Sequence, residues 1–193
     1  MSGIVGLLLA AGSASRFGSD KLHHALPHGV PIAIQSARQL RAELDTVIAV
    51  VRPGQDALAD KLAAEKCQVV VCDDAAQGMG ASLACAARVA GEQAGYLIAL
   101  GDMPFIRRST IAAVRDALAR GAPLAAPYFR AKRGHPVGFS SAFRGAMLSL
   151  GGDEGAKRLL KDNESRIVKV PVGDPGVLRD IDRPEDLAPP AVV

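Results

Sequence analysis

Short apolar runs alternate with amphipathic segments over the first 120 residues, and this alternation limits the fold of the 193-residue chain more than any other feature. The runs lie at residues 4–9, 47–51, 69–72 and 96–100, and each has the length of one buried strand. Apolar residues at helical spacing separate them. Strands that alternate with helices form parallel sheets with right-handed crossovers. The sequence therefore predicts an α/β fold built around a parallel sheet.

The remainder of the chain contains shorter elements. Strands are predicted at 123–129 and 166–170, with two short helices between them. Val137 and Phe139 alternate with smaller residues, which favours a hairpin-like strand near an edge of the sheet. The sequence shows no internal repeat, linker or low-complexity segment, so a single domain over residues 1–193 is expected.

Charge and composition argue against two classes of function. The formal net charge is +3 and aromatic residues make up 4% of the chain. A nucleic-acid-binding surface needs a dense basic run or aromatic platforms for the bases, so no nucleic-acid partner is expected. No apolar segment approaches the roughly 20 residues that cross a bilayer, so no membrane partner is expected. The apolar N-terminus lacks a preceding basic region and is interpreted as a strand, which makes the cytoplasm the expected location.

The three cysteines, Cys67, Cys72 and Cys85, lack the spacing of a metal or redox motif. Cys72 ends an apolar run, and Cys85 lies inside a predicted helix. Buried packing is therefore favoured over redox or metal chemistry for all three.

A loop of small residues follows the first strand. Gly12 and Gly18 bracket a segment whose backbone N–H groups an anion can approach, and Arg16 and Lys21 place positive charge beside it. The spacing fits neither the dinucleotide fingerprint nor the Walker A loop. Open α/β sheets bind ligands at the carboxyl ends of their strands, so this loop is a candidate site for a nucleoside triphosphate. An ordinary strand-to-helix turn explains the loop alone about equally well.

Three aspartates are candidate partners of this loop. Asp102 directly follows a buried strand, and Pro104 prevents a smooth entry into a helix. Asp180 and Asp182 are two residues apart, so an extended chain projects them from one face. Mg²⁺ takes one or two protein carboxylates, which makes all three candidate Mg²⁺ ligands. The alternatives are that Asp102 caps a turn and that Asp180 or Asp182 caps the short helix that follows.

His135 is a candidate contact for a second substrate. Gly134 allows close approach, and Pro136 favours an extended conformation of the residue before it. A stiff polar segment of this kind could orient a ligand in a cleft. The sequence offers no nucleophile with an accompanying base, so covalent catalysis is not indicated.

Five stretches of the chain follow one another in a characteristic order. They are Leu9-Ala10-Ala11-Gly12 with Arg16-Phe17-Gly18 and Lys21, Gln77-Gly78-Met79-Gly80 with Ser82-Leu83, Leu100-Gly101-Asp102-Met103-Pro104, Arg133-Gly134-His135-Pro136-Val137, and Asp180-Ile181-Asp182-Arg183-Pro184-Glu185-Asp186-Leu187. Together they resemble the nucleotidyltransferases, and among these the molybdenum cofactor cytidylyltransferase branch with its MobA-like NTP transferase domain. The resemblance covers almost the whole chain. It implies a Rossmann-like fold, with a mostly parallel sheet, one antiparallel strand and helices on both faces.

The resemblance also implies a reaction. A nucleoside monophosphate is transferred from a triphosphate to a phosphorylated acceptor, and pyrophosphate is released. In this reading Arg16, Lys21 and Asp102 are the catalytic residues. Asp102 holds Mg²⁺, with Asp180 or Asp182 as a second ligand. The acceptor's own phosphate attacks the α-phosphorus, so the absence of a protein nucleophile is expected.

The same resemblance assigns the two substrates to separate groups of residues. Gly134, His135 and Pro136 face a molybdopterin-type acceptor, and a recipient molybdoenzyme or its chaperone is a further expected partner. The nucleotide-binding residues are Leu9, Ala10, Ala11, Gly12, Ser13, Ser15, Arg16, Lys21, Gly78, Ser82 and Asp102.

The identity of the nucleotide depends on Ala11. Relatives that use GTP carry Leu-Ala-Gly-Gly where this chain has Leu-Ala-Ala-Gly, and the methyl group of Ala11 would narrow the base pocket. A pyrimidine is favoured, so CTP is expected. The alternatives are transfer from GTP or another triphosphate, a different small phosphorylated acceptor, and a hand-over protein that binds cofactor without turnover. Ala14 and Arg183 depart from the family pattern, which has Ser or Thr at the first position and Thr at the second.

Overall fold

The computed structural model describes residues 3–12, 21–152 and 155–187 of the chain. The strands are β1 (Ile4–Leu9), β2 (Val47–Val51), β3 (Gln68–Val71), β4 (Gly95–Leu100), β5 (Leu124–Phe129), β6 (Lys132–Arg133), β7 (Val137–Ser140) and β8 (Ile167–Pro171). The helices are α1 (Ile32–Arg41), α2 (Asp56–Ala64), α3 (Met79–Ala90), α4 (Arg108–Ala119), α5 (Arg144–Leu148) and α6 (Gly155–Asp162). Short 3₁₀ helices lie at Lys21–His23, Asp73–Gln77, Ser141–Phe143, Glu164–Arg166, Pro175–Leu178 and Pro184–Leu187. No helix in these described ranges is long and apolar enough to span a bilayer.

The strands form one sheet in the order β3-β2-β1-β4-β7-β5-β6, with β8 paired to β5. β1 to β4 pair in parallel, which confirms the predicted α/β fold and its mostly parallel sheet. β7 runs antiparallel to both β4 and β5, as the family resemblance implied for one strand. The two-residue strand β6 is also antiparallel to β5.

The prediction that the strand at Val137 lies near an edge is wrong, because β7 lies between β4 and β5. Its alternation of large and small residues has a different cause from exposure on one face. A side chain at Gly138 would place its Cβ atom 2.8 Å from Cδ1 of Leu118 in α4. The small residue therefore makes room for a closely packed helix, and the strand is buried on both faces.

Two layers of helices cover the sheet, as expected. α1, α2 and α4 pack on one face and α3, α5 and α6 on the other. Successive side chains of β1 pack against the two helix layers alternately. Leu8 lies in the core under α1, α2 and α4, and Leu7 and Leu9 lie in the core under α3, α5 and α6. Burying one such side chain contributes roughly 1.5–3 kcal/mol. The central parallel strands β1, β2 and β4 are therefore mostly apolar, which is why they read as continuous runs in the sequence.

The cysteines pack in the protein interior or against it. Cys67 and Cys72 are buried, Cys85 is half-buried, and all three are free thiols. Burial raises the pKa of Cys67 and that of Cys72 to about 11, so both thiols stay protonated at neutral pH.

Candidate active site

A cleft of about 650 Å³ opens where β1, β2, β3 and β4 end. Because these strands are parallel, the loops that follow them meet at one edge of the sheet. A cavity of this size accommodates a ligand as large as a nucleotide. The cleft is lined by Leu9, Ala11, Gly12, Lys21, Leu22, Arg52, Pro53, Asp73, Ala75, Ala76, Gly78, Met79, Ser82, Leu100 and Asp102.

Lys21 connects two of the predicted acidic residues. Its Nζ atom lies 2.9 Å from Oδ2 of Asp102 and 2.9 Å from Oδ1 of Asp182. Burial alone would lower the pKa of Lys21. The hydrogen bonds and negative charges of the two aspartates outweigh burial and raise this pKa above its ordinary value. The ammonium group therefore stays charged at neutral pH.

Asp102, Asp180 and Asp182 form a compact carboxylate cluster. Each offers an oxygen atom within 4.8 Å of the others, and no other group of three metal-ligating side chains occurs among the described residues. Oδ1 of Asp102 is buried and has no hydrogen-bond partner in the described part of the chain. Burial raises the pKa of Asp180, and the charges of Asp182 and Asp102 raise it further.

This donor set fits a hard divalent cation. Carboxylate oxygens are the ligands that Mg²⁺ and Mn²⁺ prefer, and an unpartnered buried oxygen has free lone pairs for one. The Lys21 ammonium lies between Asp102 and Asp182, so a cation is already stabilised at this position. The three predicted metal ligands therefore come together as the sequence suggested.

Close backbone contacts hold the cluster in place. The N–H of Gly101 donates to the Leu9 carbonyl at 2.9 Å, and a side chain at Gly101 would approach Cβ of Ala10 at 3.2 Å. β1 and β4 are thereby held together at the point where the cleft begins. The N–H of Ile181 donates to the Asp102 carbonyl at 2.9 Å, which brings the C-terminal segment to the same place.

Asp180 and Asp182 flank a buried residue. Ile181 is fully buried, while both aspartates are exposed, as expected for an extended segment with alternating faces. The N–H groups of Asp182 and Arg183 donate to Oδ2 of Asp186 at 3.1 and 2.9 Å. Asp186 thus fixes the start of the last 3₁₀ helix, and the carboxylate of Asp182 binds Lys21.

The predicted acceptor residues lie beside the cluster rather than in the cleft. Gly134 is buried. It has no room for a side chain, because a Cβ atom there would lie 2.3 Å from the carbonyl oxygen of Val177. The His135 N–H donates to the same carbonyl at 2.9 Å. Nδ1 of His135 is buried without a partner among the described residues. Burial and then the nearby charge of Arg133 lower the pKa of His135 to about 4, so its imidazole is neutral at pH 7.

Most of the described nucleotide-binding candidates line the cleft. These are Leu9, Ala11, Gly12, Lys21, Gly78, Ser82 and Asp102. Ala10 lies beneath the surface of the cleft, where it is fully buried and its N–H donates to the Val50 carbonyl. Pro136 is buried and lines a separate small cavity beside Ser36. Ser13, Ser15 and Arg16 lie outside the described residues.

Sequence analysis missed the part of the cleft formed by the ends of β2 and β3. Arg52 follows β2, and its Nη1 atom donates to the Gly12 carbonyl at 3.1 Å. Asp73 and Met79 also line the cleft. The signal was present, since the rule that selected the residues after β1 and β4 applies equally to those after β2 and β3.

Comparison with known proteins identifies the family. A model of the MobA-like NTP transferase domain matches residues 6–168. Purine catabolism protein PucB from Bacillus subtilis (strain 168) is 33% identical over 198 aligned residues, which cover 95% of this chain and 93% of that protein. Nicotine blue oxidoreductase from Paenarthrobacter nicotinovorans is 25% identical over 193 aligned residues, covering 95% and 94%.

A solved structure shares the fold. Rv0371c from Mycobacterium tuberculosis H37Rv superposes with a TM-score of 0.80 at 27% identity, over 96% of this chain and 95% of that one. A structure of Rv0371c in complex with manganese gives a TM-score of 0.75 at 24% identity, over 96% of each chain.

Proposed function

Because the chain belongs to the MobA-like NTP transferase family, we propose that it transfers CMP from CTP to the phosphate of molybdopterin. The products are pyrophosphate and a cytosine dinucleotide form of the cofactor. The observation that supports this reaction best is the position of Lys21 and Asp102. Both line the nucleotide-sized cleft, and both belong to the charge cluster at its end. Nucleotidyl transfer needs positioning and charge neutralisation more than a protein nucleophile, and this arrangement provides both.

Different residues of the cleft are proposed to bind the nucleoside and the phosphates. Ala11, Gly12, Gly78 and Ser82 enclose the nucleotide, while the charged Lys21 ammonium contacts its phosphates. An oxygen atom of the acceptor phosphate attacks the α-phosphorus. A bond forms there, the bond from the α-phosphorus to the bridging oxygen breaks, and pyrophosphate leaves with the electron pair. Arg16 is proposed to neutralise the phosphates as well.

The acidic cluster is the proposed Mg²⁺ site, with Asp102 as one ligand and Asp180 or Asp182 as a second. When bound, the ion supplies charge neutralisation on the phosphate oxygens. The manganese complex of Rv0371c supports a divalent metal in this family. Asp102 lines the cleft and has a buried oxygen without a partner among the described residues, so its loss should affect the reaction most.

The choice of acceptor and nucleotide is based on two short stretches. Gly134-His135-Pro136-Val137 resembles the cytidylyl branch of the family. It lies near the acidic cluster, where the negative charge of Asp180 opposes the lowering of the His135 pKa. Ala11 lines the cleft, where its methyl group takes space that a purine would need. The cytoplasmic location expected from the sequence is proposed together with this activity.

The decisive experiment is a nucleotide panel with molybdenum cofactor and Mg²⁺, scored for pyrophosphate and for the dinucleotide product. We expect turnover with CTP and a loss of about 10²–10³-fold in kcat for Asp102→Asn. Asp60→Asn, an exposed aspartate on α2, is the matched control and should retain full activity. Ala11→Gly should shift the preference from CTP toward GTP.

Two results would overturn the proposal. Turnover with GTP but not with CTP would assign the chain to the guanylyl branch. Binding of CTP without pyrophosphate release from any nucleotide would make it a hand-over protein.

A further inference from the structure

A second concave site lies at the carboxyl ends of β5 and β8. It encloses about 610 Å³, which is enough for a group of several fused rings. None of its residues belongs to the nucleotide cleft or to the acidic cluster. The site is lined by Tyr128, Arg130, Ala131, Lys169, Pro171 and Val172.

The sheet topology places this site at the same edge as the nucleotide cleft. β4 and β5 are both antiparallel to β7, so they run in the same direction, and β8 is parallel to β5. Their carboxyl ends therefore meet the edge at which Asp102 follows β4. Neighbouring strands lie about 4.8 Å apart, so the site is roughly 10–15 Å from Asp102 along the edge.

The site is lined by two basic side chains, Arg130 and Lys169, and by no acidic side chain of a described residue. Residues 117–152 contain five arginines and lysines and no Asp or Glu. Neither Arg130 nor Lys169 has a carboxylate within ion-pair distance in the described ranges. Both instead lie over aromatic rings, with the Arg130 guanidinium carbon 5.2 Å from the Phe129 ring centre and Lys169 Nζ 5.3 Å from that of Tyr128. Both side chains are exposed and available to an anion.

The backbone holds Arg130 at a conformational cost. Its φ angle is +47° and that of Ala131 is +64°, although neither residue is glycine. An L-residue in this region costs roughly 1–2 kcal/mol relative to glycine. A glycine at position 130 would relieve the strain but would remove the guanidinium group from the pocket. The two positive φ angles are those that the two-residue turn of the β5–β6 hairpin requires, and this turn fixes the position of Arg130 at the pocket.

The predicted acceptor residues connect the two sites. His135 precedes β7, which lies between β4 and β5, and Arg133 pairs with Tyr128 in the β5–β6 hairpin. An acceptor whose phosphate reacts near Asp102 would pass His135 and end in this pocket. A cationic pocket with a tyrosine at its wall fits a flat ring system that carries negative charge.

We propose that the Tyr128–Arg130–Lys169 pocket binds the anionic, ring-bearing end of the acceptor, remote from the reacting phosphate. This inference rests on the proposed function and adds to it the residues that select the acceptor.

The test uses the full chain and measures the KM for molybdopterin, with CTP saturating, for the double variant Arg130→Gln/Lys169→Met. We expect the KM to rise by about tenfold or more, while the Kd for CTP stays unchanged. Lys61→Met/Arg88→Gln removes one lysine and one arginine from exposed helical positions and is the matched control. Its KM should equal that of the wild type.

Arg130→Gly separates binding from folding. It should raise the melting temperature by relieving the positive φ angle, and it should raise the KM for the acceptor at the same time. An active wild type with an unchanged acceptor KM in the double variant overturns the inference and leaves the proposed function intact. An inactive wild type overturns the proposed function. In that case equal equilibrium binding of molybdopterin to the wild type and the double variant overturns the inference as well.

Discussion

At the scale of single residues, burial acts on Lys21 and His135 with different outcomes. Both side chains lose hydration, which by itself lowers the pKa of each. Lys21 has two carboxylates at 2.9 Å, and their attraction raises its pKa. His135 has Arg133 nearby and an unpartnered Nδ1 atom, so its pKa falls to about 4. Burial is therefore the main cause of the lowered pKa of His135, whereas at Lys21 the two carboxylates outweigh burial.

The lowered pKa of His135 makes the stability of the protein pH-dependent. The unfolded chain binds a proton near pH 6.5, whereas the folded chain binds it near pH 4. Between these values the unfolded state holds more protons, so stability falls as the pH decreases from 6.5 toward 4. The difference is on the order of 1–2 kcal/mol at pH 5, because the partly exposed ring retains some hydration.

We therefore expect His135→Gln to lose less stability than the wild type between pH 7 and pH 5, measured by urea unfolding at both values. His28→Gln alters an exposed loop histidine and serves as the control. Equal pH dependence of the wild type and the His135 variant would contradict the lowered pKa of His135.

At the scale of elements, the apolar runs predicted most of the sheet. The strands at 4–9, 47–51 and 96–100 are confirmed within one residue, because a strand buried on both faces is apolar throughout. The central position of β7 could not be predicted this way. Its order in the sheet depends on the tight packing of Gly138 against Leu118, a contact between residues 20 apart in the chain.

The acidic cluster was predictable for a different reason. Asp102 follows a strand and the Asp180–Asp182 pair has a spacing of two, so each could be selected locally. Their meeting depends on the hydrogen bond from the Ile181 N–H to the Asp102 carbonyl, which no local pattern encodes. The family resemblance supplied that link. The basic pocket had neither a motif nor a resemblance to indicate it.

Gly134 lies where the chain between β6 and β7 comes close to the 3₁₀ helix at Pro175–Leu178. A Cβ atom there would lie 2.3 Å from the Val177 carbonyl oxygen and 2.6 Å from its Cβ atom. We expect Gly134→Ala to push the 3₁₀ helix at Pro175–Leu178 away from β6 and β7, at a cost of about 1–3 kcal/mol in unfolding free energy. Urea unfolding measures this loss.

The control for this prediction is Gly173→Ala, in the same C-terminal segment. A Cβ atom at Gly173 meets nothing within 4 Å, so its stability should change by less than about 0.5 kcal/mol. Similar losses in the two variants would show that the close approach at Gly134 is not what fixes this segment.

At the scale of the whole molecule, one edge of the sheet carries Lys21, the acidic cluster and the basic pocket, which are the described charged groups of the two proposals. The nucleotide cleft lies beyond β1, β2 and β3, the acidic cluster lies beyond β4, and the basic pocket lies beyond β5 and β8. This spatial order of cleft, acidic cluster and basic pocket fits a reaction in which two phosphorylated substrates approach the cluster from opposite sides. The three carboxylates of the acidic cluster lie between the two substrate sites and repel one another. The Lys21 ammonium offsets only part of that repulsion.

Lys21 and a divalent cation should therefore compete for the same oxygen atoms. The wild type should gain about 5–10 °C in melting temperature at Mn²⁺ concentrations a hundredfold above the Kd, because the ion binds the folded state alone. Lys21→Met should be less stable than the wild type without metal, since Asp102 loses the cation that it pairs with among the described residues. The same variant should bind Mn²⁺ about tenfold more tightly, because no ammonium has to be displaced. Differential scanning fluorimetry across a Mn²⁺ titration measures both effects.

Lys21→Met is expected to lower the stability without metal and to strengthen Mn²⁺ binding. Two control variants test whether these opposite effects arise at the acidic cluster. Lys61→Met removes a lysine from the exposed face of α2 and should change neither the stability without metal nor the response to Mn²⁺. Asp102→Asn should lose most of the response to Mn²⁺, because it removes the carboxylate with the buried oxygen. Weaker Mn²⁺ binding by Lys21→Met than by the wild type would mean that the ammonium group supports the metal rather than occupying its place. The lysine would then act on the carboxylates as a fixed positioning group throughout the reaction.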